Sequence, residues 1–209
     1  CLDAYMAMQS WYPKAKLGIF LHWGIYAVDS TAESWAFWLG DCTWDEYYAQ
    51  ADRFTASQYD PDAWARLFAE AGARYAVLTT KHHDGVALWD TKIAYPDGTI
   101  FSTATATPAA RDLVTPYVEA MRRGGIKAGL YFSHLDWHHP DYPAYGDRIH
   151  PMRDNEAYKG KAHNFPAYLD YMHGQVTELL TNYGQIDIVW FDFSYDNMMG
   201  ETWRATELV

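Results

Sequence analysis

Four clusters rich in His, Trp and Asp occur along the sequence, and each directly follows a short apolar run. The pairs are Leu17 to Leu21 before His22-Trp23-Gly24, Tyr75 to Thr80 before Lys81-His82-His83-Asp84-Gly85, Ile126 to Phe132 before Ser133-His134-Leu135-Asp136-Trp137, and Ile186 to Val189 before Trp190-Phe191-Asp192. Imidazoles donate and accept hydrogen bonds, and carboxylates act as nucleophiles or bases. Packing of a buried strand gives no reason for such groups to gather at its downstream end. The clusters therefore predict a binding or catalytic site.

Asp192 is the first candidate for a reacting group. A lone Asp after a strand most often caps a helix or occupies a turn. Here Trp190 precedes it by two residues, and alternation along a strand places both on one side, with Phe191 on the other. An aromatic wall and a carboxylate then face the same space, which favours a functional role for Asp192.

The histidines at the first two strand ends are candidates for ligand contacts. His82 and His83 are adjacent, so their side chains project in different directions. This arrangement suits hydrogen bonds to ligand hydroxyls better than chelation of one metal ion. His22 is a third candidate. The stretch Asp136-Trp137-His138-His139 lies past the third strand, and we expect a structural or supporting role for it.

The elements that position these groups alternate between strands and helices. Helical patterns cover residues 60–72, 112–124 and 166–184, and Asp112 is the predicted N-cap of the second. Their expected inward-facing residues are Trp64, Leu67 and Phe68, then Val114, Tyr117, Val118 and Met121, then Leu169, Met172, Val176, Leu179 and Leu180. Strands separated by helices pair in parallel through right-handed crossovers.

Functional groups at several strand ends are typical of the (β/α)8 barrel. A dinucleotide-binding sheet would instead need a Gly-rich first turn, and neither G-x-G-x-x-G nor G-x-x-x-x-G-K occurs. We therefore predict the α/β class and a (β/α)8 TIM-type barrel, of which about the first four βα units are present. A half barrel leaves two sheet edges unpaired, so residues 1–209 are expected to be a partial catalytic domain, truncated at both ends. The long segments 84–111 and 134–165 are expected to be pocket-building loops.

Composition narrows the classes of partner. The formal charge of −11 and the 21% of charged residues argue against nucleic acid, whose binding requires clustered Lys and Arg. No apolar run approaches the ~20 residues of a membrane span. Cys1 and Cys42 alone cannot build a disulfide framework or a paired-cysteine metal site. The 17 Tyr and 10 Trp include flat faces suited to sugar rings, although most are expected in the core.

Two chemistries remain open from the residues alone. A metal-dependent hydrolase on this barrel typically has His-x-His on one strand, whereas His22 is followed by Trp23 and Gly24. Glycoside hydrolysis needs two carboxylates in a pocket rich in aromatic and hydroxyl-binding groups, which Asp192 beside Trp190 fits better. Besides these two enzymatic chemistries, a catalytically inactive barrel that binds a sugar without turnover is a further alternative. We predict no metal and no cofactor.

Seven motifs follow one another in order over nearly the whole chain. They are Lys16-Leu17-Gly18-Ile19-Phe20-Leu21-His22-Trp23-Gly24-Ile25-Tyr26, Glu33-Ser34-Trp35, Ala71-Gly72-Ala73-Arg74-Tyr75, Leu78-Thr79-Thr80-Lys81-His82-His83-Asp84-Gly85, Arg111-Asp112, Gly129-Leu130-Tyr131-Phe132-Ser133 and Trp190-Phe191-Asp192. Together they resemble glycoside hydrolase family twenty-nine, the α-L-fucosidases. Three departures are the spacing of Glu33-Ser34-Trp35, Val86 where an aromatic residue often stands, and Phe193 where glycine often stands.

The resemblance implies a retaining exo-fucosidase that removes terminal α-L-fucose from oligosaccharides or glycoconjugates through a covalent glycosyl-enzyme on Asp192. The resemblance also implies substrate-binding roles. His22, His82 and His83 would bind fucose hydroxyls, and Tyr131 and Trp190 would line the pocket. Trp35 and Glu33 would close the side of the pocket near the ring hydroxyls. The family's acid/base residue comes from beyond the fourth strand, so none is assigned here. We expect the 209-residue stretch alone to be inactive. The sequence indicates neither oligomeric state nor compartment.

Overall fold

The computed structural model of the protein describes residues 9–208. Its centre is a four-stranded sheet of β1 Gly18–Leu21, β2 Tyr75–Lys81, β3 Lys127–Ser133 and β4 Ile188–Asp192. All neighbouring strands pair in parallel, and their order in the sheet is their order in the chain. Each connection therefore steps to the adjacent strand, as in a (β/α) barrel. The predicted parallel sheet is confirmed.

Six α-helices lie in the described part of the chain. They are α1 Trp35–Leu39, α2 Trp44–Tyr48, α3 Pro61–Glu70, α4 Val114–Arg123, α5 Phe165–Thr181 and α6 Ala205–Leu208. Helices α3, α4 and α5 are the three that the apolar periodicity predicts, whereas the other three are short and carry no clear periodicity. The N-cap position of α4 is Leu113, one residue after the predicted Asp112. Asp112 still satisfies the first turn, since its Oδ1 accepts hydrogen bonds from the backbone N–H groups of Val114 and Thr115.

Two of the expected inward residues are instead exposed. Leu67 is 60% and Leu180 is 40% exposed, so these two predictions are wrong. Helix α3 turns Ala65 towards Gly124 at the end of α4, where an added Cβ would lie 3.0 Å from Cβ of Ala65. This close helix contact uses small residues and turns Leu67 outward. In α5 the buried series continues through Leu179, which leaves its neighbour Leu180 outside the stripe. All four residues of α4 that were predicted to face inward, Val114, Tyr117, Val118 and Met121, are buried.

A β-bulge at the end of β2 aims the residues that follow it. The register with β3 shifts between Thr79 and Lys81, so Thr80 is an extra residue on β2. Its hydroxyl donates a 2.6 Å hydrogen bond to the backbone oxygen of Tyr131. Bulges bend a strand and redirect the side chains after it. Here Lys81 is fully buried and the adjacent His82 and His83 lie at the carboxyl end of the sheet.

The long connections after β2 and β3 form the loops that the sequence predicts. Residues 84–111 contain only an isolated bridge between Ala87 and Ser102, and residues 134–164 contain only a short 3-10 turn at Glu156–Tyr158. Both loops begin at the carboxyl ends of their strands. Within residues 9–208, no helix combines the length and apolarity needed to cross a membrane.

Candidate functional site

Asp192 ends β4, and its carboxylate is held from the neighbouring strand. The hydroxyl of Tyr131 donates a 2.7 Å hydrogen bond to Oδ2 of Asp192, whereas Oδ1 has no hydrogen-bond partner among the described residues. Trp190 lies on the same side, since its ring meets that of Phe20 edge-on at 5.3 Å and Phe20 also contacts Tyr131 at 5.8 Å. Phe191 faces the other way. The alternation expected along this strand is therefore present.

The rings at the other strand ends converge on Tyr131. His82 stacks on Tyr131 with centroids 5.6 Å apart, and His83 lies 4.2 Å from His82. His22 is exposed at the end of β1 and meets His82 edge-on at 5.5 Å and Tyr131 at 6.1 Å. Two of the predicted histidines, His22 and His82, and the predicted carboxylate thus contact one tyrosine, and His83 lies behind His82.

The hydrogen bonds of His83 fix which ring nitrogen carries the proton. Ser133 donates its only hydroxyl hydrogen to the backbone oxygen of Leu135 at 2.7 Å. Its Oγ lies 2.6 Å from Nδ1 of His83, so it must accept the Nδ1 hydrogen there. In a neutral ring this leaves Nε2 as an acceptor. His83 can therefore accept a hydrogen bond from a ligand hydroxyl.

Burial keeps both histidines of this pair neutral. Burial lowers the pKa of His83 to about 3, with the charges of nearby His22 and Lys81 acting in the same direction. Burial likewise lowers the pKa of His82 well below its ordinary value, and Nδ1 of His82 is hydrogen-bonded to the hydroxyl of Ser34. Neutral imidazoles suit recognition of uncharged hydroxyl groups.

The predicted residues of the β1 to β2 connection lie at different distances from this centre. Trp35 begins α1, and its ring meets that of His83 edge-on at 5.3 Å. Glu33 is partly buried next to Ser34, and its backbone oxygen accepts a 2.9 Å hydrogen bond from Ala36, but its carboxylate makes no hydrogen bond or ion pair with the described residues. The structure therefore brings Trp35 into the site and gives Glu33 no contact there.

Phe193, directly after Asp192, has a backbone φ of +82°. Non-glycine residues adopt such values at a cost in free energy, and they do so most often at functional positions. Its ring lies 5.4 Å from His83 and 5.8 Å from Trp35. The aromatic side chain at this position therefore closes one side of the site.

An ion pair buried beneath the histidines joins the ends of β2 and β3. Nζ of Lys81 lies 3.1 Å from Oδ2 of Asp136, and both side chains are fully buried. Oδ1 of Asp136 accepts backbone hydrogen bonds from His138 and His139. This set supports the floor of the site, in agreement with the supporting role expected for the stretch after β3.

The charged and polar neighbours of this pair are also structural. Asp84 accepts hydrogen bonds from the hydroxyl of Tyr47 and from the backbone of Val86, and burial raises its pKa to about 6 despite these bonds. His134 is sandwiched between the rings of Phe191 and Trp203, at 5.2 and 4.9 Å. Neither side chain points to the Asp192 carboxylate.

Sequence reasoning missed three side chains that complete the site. Phe20 could have been found by alternation, because it precedes His22 by two residues on the same strand. Ser34 and Ser133 stand inside recognised motifs, but their hydrogen bonds to His82 and His83 span 48 and 50 residues of sequence. No local pattern predicts such pairings.

Within residues 9–208, no group of three or more His, Cys, Asp or Glu side chains is arranged to hold a metal ion.

Parallel βα units that bring a carboxylate, aromatic rings and neutral imidazoles to their strand ends are typical of glycoside hydrolases built on the (β/α)8 barrel. The family model described as Alpha-L-fucosidase matches residues 2–209. The chain therefore belongs to the α-L-fucosidase family, and the resemblance of its motifs is confirmed.

Known relatives agree with this assignment and confirm the barrel class. Tissue alpha-L-fucosidase of Mus musculus is 37% identical over 150 residues, which cover 65% of this chain and 32% of the mouse protein. Alpha-L-fucosidase isoenzyme 1 from Paenibacillus thiaminolyticus is 51% identical, with a TM-score of 0.88 over 95% of this chain and 45% of that one. Alpha-L-fucosidase AlfC from Lactobacillus casei, solved with α-L-fucose product, is 27% identical, with a TM-score of 0.77 over 95% of this chain and 66% of that one. The chain spans about a third of the mouse relative's length.

Proposed function

We propose that the full-length natural protein containing this sequence is a retaining exo-α-L-fucosidase. Its substrates would be oligosaccharides or glycoconjugates that end in α-L-fucose. The observation that carries the proposal is the Asp192 carboxylate, with Oδ2 held by Tyr131 and Oδ1 left for reaction, beside two neutral histidines. The α-L-fucose product in the Lactobacillus casei structure supports the choice of sugar.

In the proposed first step, Oδ1 of Asp192 attacks the anomeric carbon of fucose. A carbon–oxygen ester bond forms, the glycosidic bond breaks, and the departing oxygen takes a proton from a second carboxyl group. Water then attacks the same carbon and gives one proton to the second carboxylate, which releases fucose, restores the Asp192 carboxylate and returns the second group to its acid form. The second carboxyl must lie about 5 to 5.5 Å from the first in a retaining enzyme, and we assign no residue of this chain to it.

The remaining groups would recognise the sugar before and during this step. Nε2 of His83 accepts a hydrogen bond from a fucose hydroxyl, and His82 and His22 offer further imidazole nitrogens. Trp190 is 47% exposed beside Phe20, which is 38% exposed, so both present apolar surface to the sugar ring. Trp35 bounds the pocket beyond His83. We also propose a role for Glu33 on that side, although it has no contact that fixes its position.

The test is turnover of p-nitrophenyl α-L-fucoside by the full-length protein and its Asp192→Gly variant. We expect the variant to lose at least a thousandfold in kcat and to regain activity with azide, which replaces the missing nucleophile. Asp196→Asn is the matched control, because Asp196 is an exposed carboxylate paired with Arg148. Near-normal activity of Asp192→Gly would refute the nucleophile. Fucose binding without any turnover by the parent protein would favour the inactive sugar-binding alternative.

A further inference from the structure

Phe193 directly follows Asp192 and has a backbone conformation that its side chain disfavours. Its φ of +82° lies in the left-handed region, which glycine adopts without a steric cost and other residues adopt with one. Glycine would therefore suit this backbone best. The presence of a phenyl ring here must be explained by the contacts that the ring makes.

The ring of Phe193 packs against two side chains of the candidate site. It meets the ring of His83 edge-on, with centroids 5.4 Å apart and planes at 82°, and it lies 5.8 Å from the ring of Trp35. The rings of Trp35 and His83 also meet each other, at 5.3 Å. Aromatic pairs at such distances attract each other and prefer defined angles. The three rings therefore hold one another in a fixed arrangement.

His83 needs such support because its single hydrogen bond leaves the ring free to tilt. Nδ1 of His83 donates to Oγ of Ser133 at 2.6 Å, but the imidazole can still tilt about this contact, and the tilt decides where Nε2 points. The rings of Phe193 and Trp137, at 5.4 and 5.0 Å from the imidazole, restrict that motion. Phe193 thus helps to fix the direction of the acceptor nitrogen.

The segment after Phe193 is anchored to the long loop that follows β3. Tyr195 is buried, and its hydroxyl donates to Asp147 and accepts a 2.9 Å hydrogen bond from Tyr142. Its ring also lies 5.8 Å from that of Phe193. Tyr195 and Met198 exchange two backbone hydrogen bonds, of 3.2 and 2.7 Å. Strained residues persist where their surroundings hold them in place, and this anchored turn provides that support for Phe193.

We propose that Phe193 is a positioning residue, whose ring holds the imidazole of His83 and the indole of Trp35 in the orientation that receives the sugar. The role of His83 and Trp35 towards fucose rests on the proposed function, whereas the hold of Phe193 on His83 does not. Because these groups would contact the sugar before and during the reaction, loss of the phenyl ring should weaken binding more than it slows the chemical step.

The first experiment follows the imidazole of His83 by NMR in the full-length protein labelled with ¹⁵N-histidine. Its signals are assigned by their loss in His83→Gln. We expect Phe193→Gly and Phe193→Ala to shift these signals and to speed exchange of the Nδ1 hydrogen with water by about tenfold, because the ring can then tilt away from Ser133. Phe193→Tyr keeps the aromatic ring and should leave the exchange rate within about twofold of the parent.

The second experiment measures turnover of p-nitrophenyl α-L-fucoside by the same variants. We expect KM to rise about tenfold in Phe193→Gly and Phe193→Ala, with kcat within about threefold of the parent, and Phe193→Tyr to restore the parental KM. A merely structural role would instead lower the folded fraction, which reduces the apparent kcat and leaves KM unchanged.

Two comparisons separate the ring from the backbone and from its position beside the nucleophile. Phe193→Gly relieves the backbone strain that Phe193→Ala retains, so it should unfold at a higher temperature than Phe193→Ala while binding substrate equally poorly. Phe191→Leu is the matched control, because it removes the aromatic ring on the other side of Asp192, which stacks on His134. This control should keep the parental KM and the parental His83 signals.

Three results would overturn the proposal. They are unshifted His83 signals in both Phe193→Gly and Phe193→Ala, a parental KM in Phe193→Gly with a raised KM in Phe193→Ala, and an equal rise of KM in Phe191→Leu. The second result would mean that strain alone causes the defect. Absence of turnover in the parent protein would count against the proposed fucosidase, and the His83 signals would still decide the role of Phe193.

Discussion

The hydroxyl of Tyr131 is joined to Oδ2 of Asp192 by a 2.7 Å hydrogen bond that crosses from β3 to β4. Tyr131 is paired in register with Trp190, not with Asp192. The bond is therefore diagonal and reaches the residue two positions further on the same face. This geometry fixes the rotation of the carboxylate and leaves one oxygen free for the proposed attack.

Replacing Tyr131 by Phe removes this bond and keeps the ring that stacks on His82. We expect kcat to fall by about tenfold to a hundredfold with a smaller change in KM, because a hydrogen bond to a charged group contributes about 1.5 to 3 kcal/mol. Steady-state turnover of p-nitrophenyl fucoside measures it. Tyr117→Phe is the matched control, since this buried hydroxyl donates to the backbone of Gly129 on β3, away from the carboxylate. Equal losses in both variants would contradict a specific effect on Asp192.

Periodicity predicted the helices and the parallel sheet because both depend on local repeats of apolar residues. It failed at Leu67, where the close approach of Ala65 to Gly124 decides which face of α3 turns inward. It could not anticipate the bulge at Thr80 either, because a bulge is defined by the register with a partner strand. A pattern within one segment of the sequence cannot predict features that are determined by contacts between distant segments.

The same distinction applies to the candidate site. Asp192, Trp190 and the histidines were found because the carboxyl ends of parallel strands converge at one edge. Ser34 and Ser133, which hold His82 and His83, were not assigned roles because their partners lie far away in sequence. The motifs located the side chains at the strand ends, whereas the groups that orient them required the folded chain.

The buried ion pair of Lys81 and Asp136 can be tested by a double-mutant cycle. Burial lowers the pKa of Lys81, and the negative charge of Asp136 opposes that effect. Lys81→Met alone should destabilise the full-length protein by about 3 to 5 kcal/mol, because it leaves an unpaired buried charge at Asp136. Adding Asp136→Leu should recover part of this loss. Urea unfolding of both single variants and the double variant measures the coupling, and strictly additive losses would contradict it.

Gly85 lies against the same pair, and Gly98 offers a matched comparison. Both glycines have left-handed backbones, with φ of +79° at Gly85 and +86° at Gly98. They differ in the space around them. A Cβ added at Gly85 would lie 2.3 Å from Oδ1 of Asp136, whereas a Cβ added at Gly98 would meet nothing within 4 Å. Gly98→Ala should cost about 1 to 2 kcal/mol of stability through backbone strain alone. Gly85→Ala should cost clearly more and lower turnover, since it displaces the floor beneath His82 and His83. Thermal unfolding measures the stability lost in each variant. Equal losses would show that the Asp136 side chain moves away from the added Cβ at no cost in stability.

His134 gives the fold a defined response to acid. Burial between Phe191 and Trp203 lowers its pKa from 6.5 to about 4. As the pH falls below 6.5, the unfolded chain takes up a proton at this ring but the folded chain does not until about pH 4, so acid favours unfolding across this window. One such proton changes stability by about 1.4 kcal/mol per pH unit. His134→Phe keeps the stacking and should flatten the fall in urea-unfolding free energy between pH 6.5 and 4 by about 3 kcal/mol in total. An unchanged slope in His134→Phe would mean that this ring binds its proton equally well in the folded and the unfolded protein.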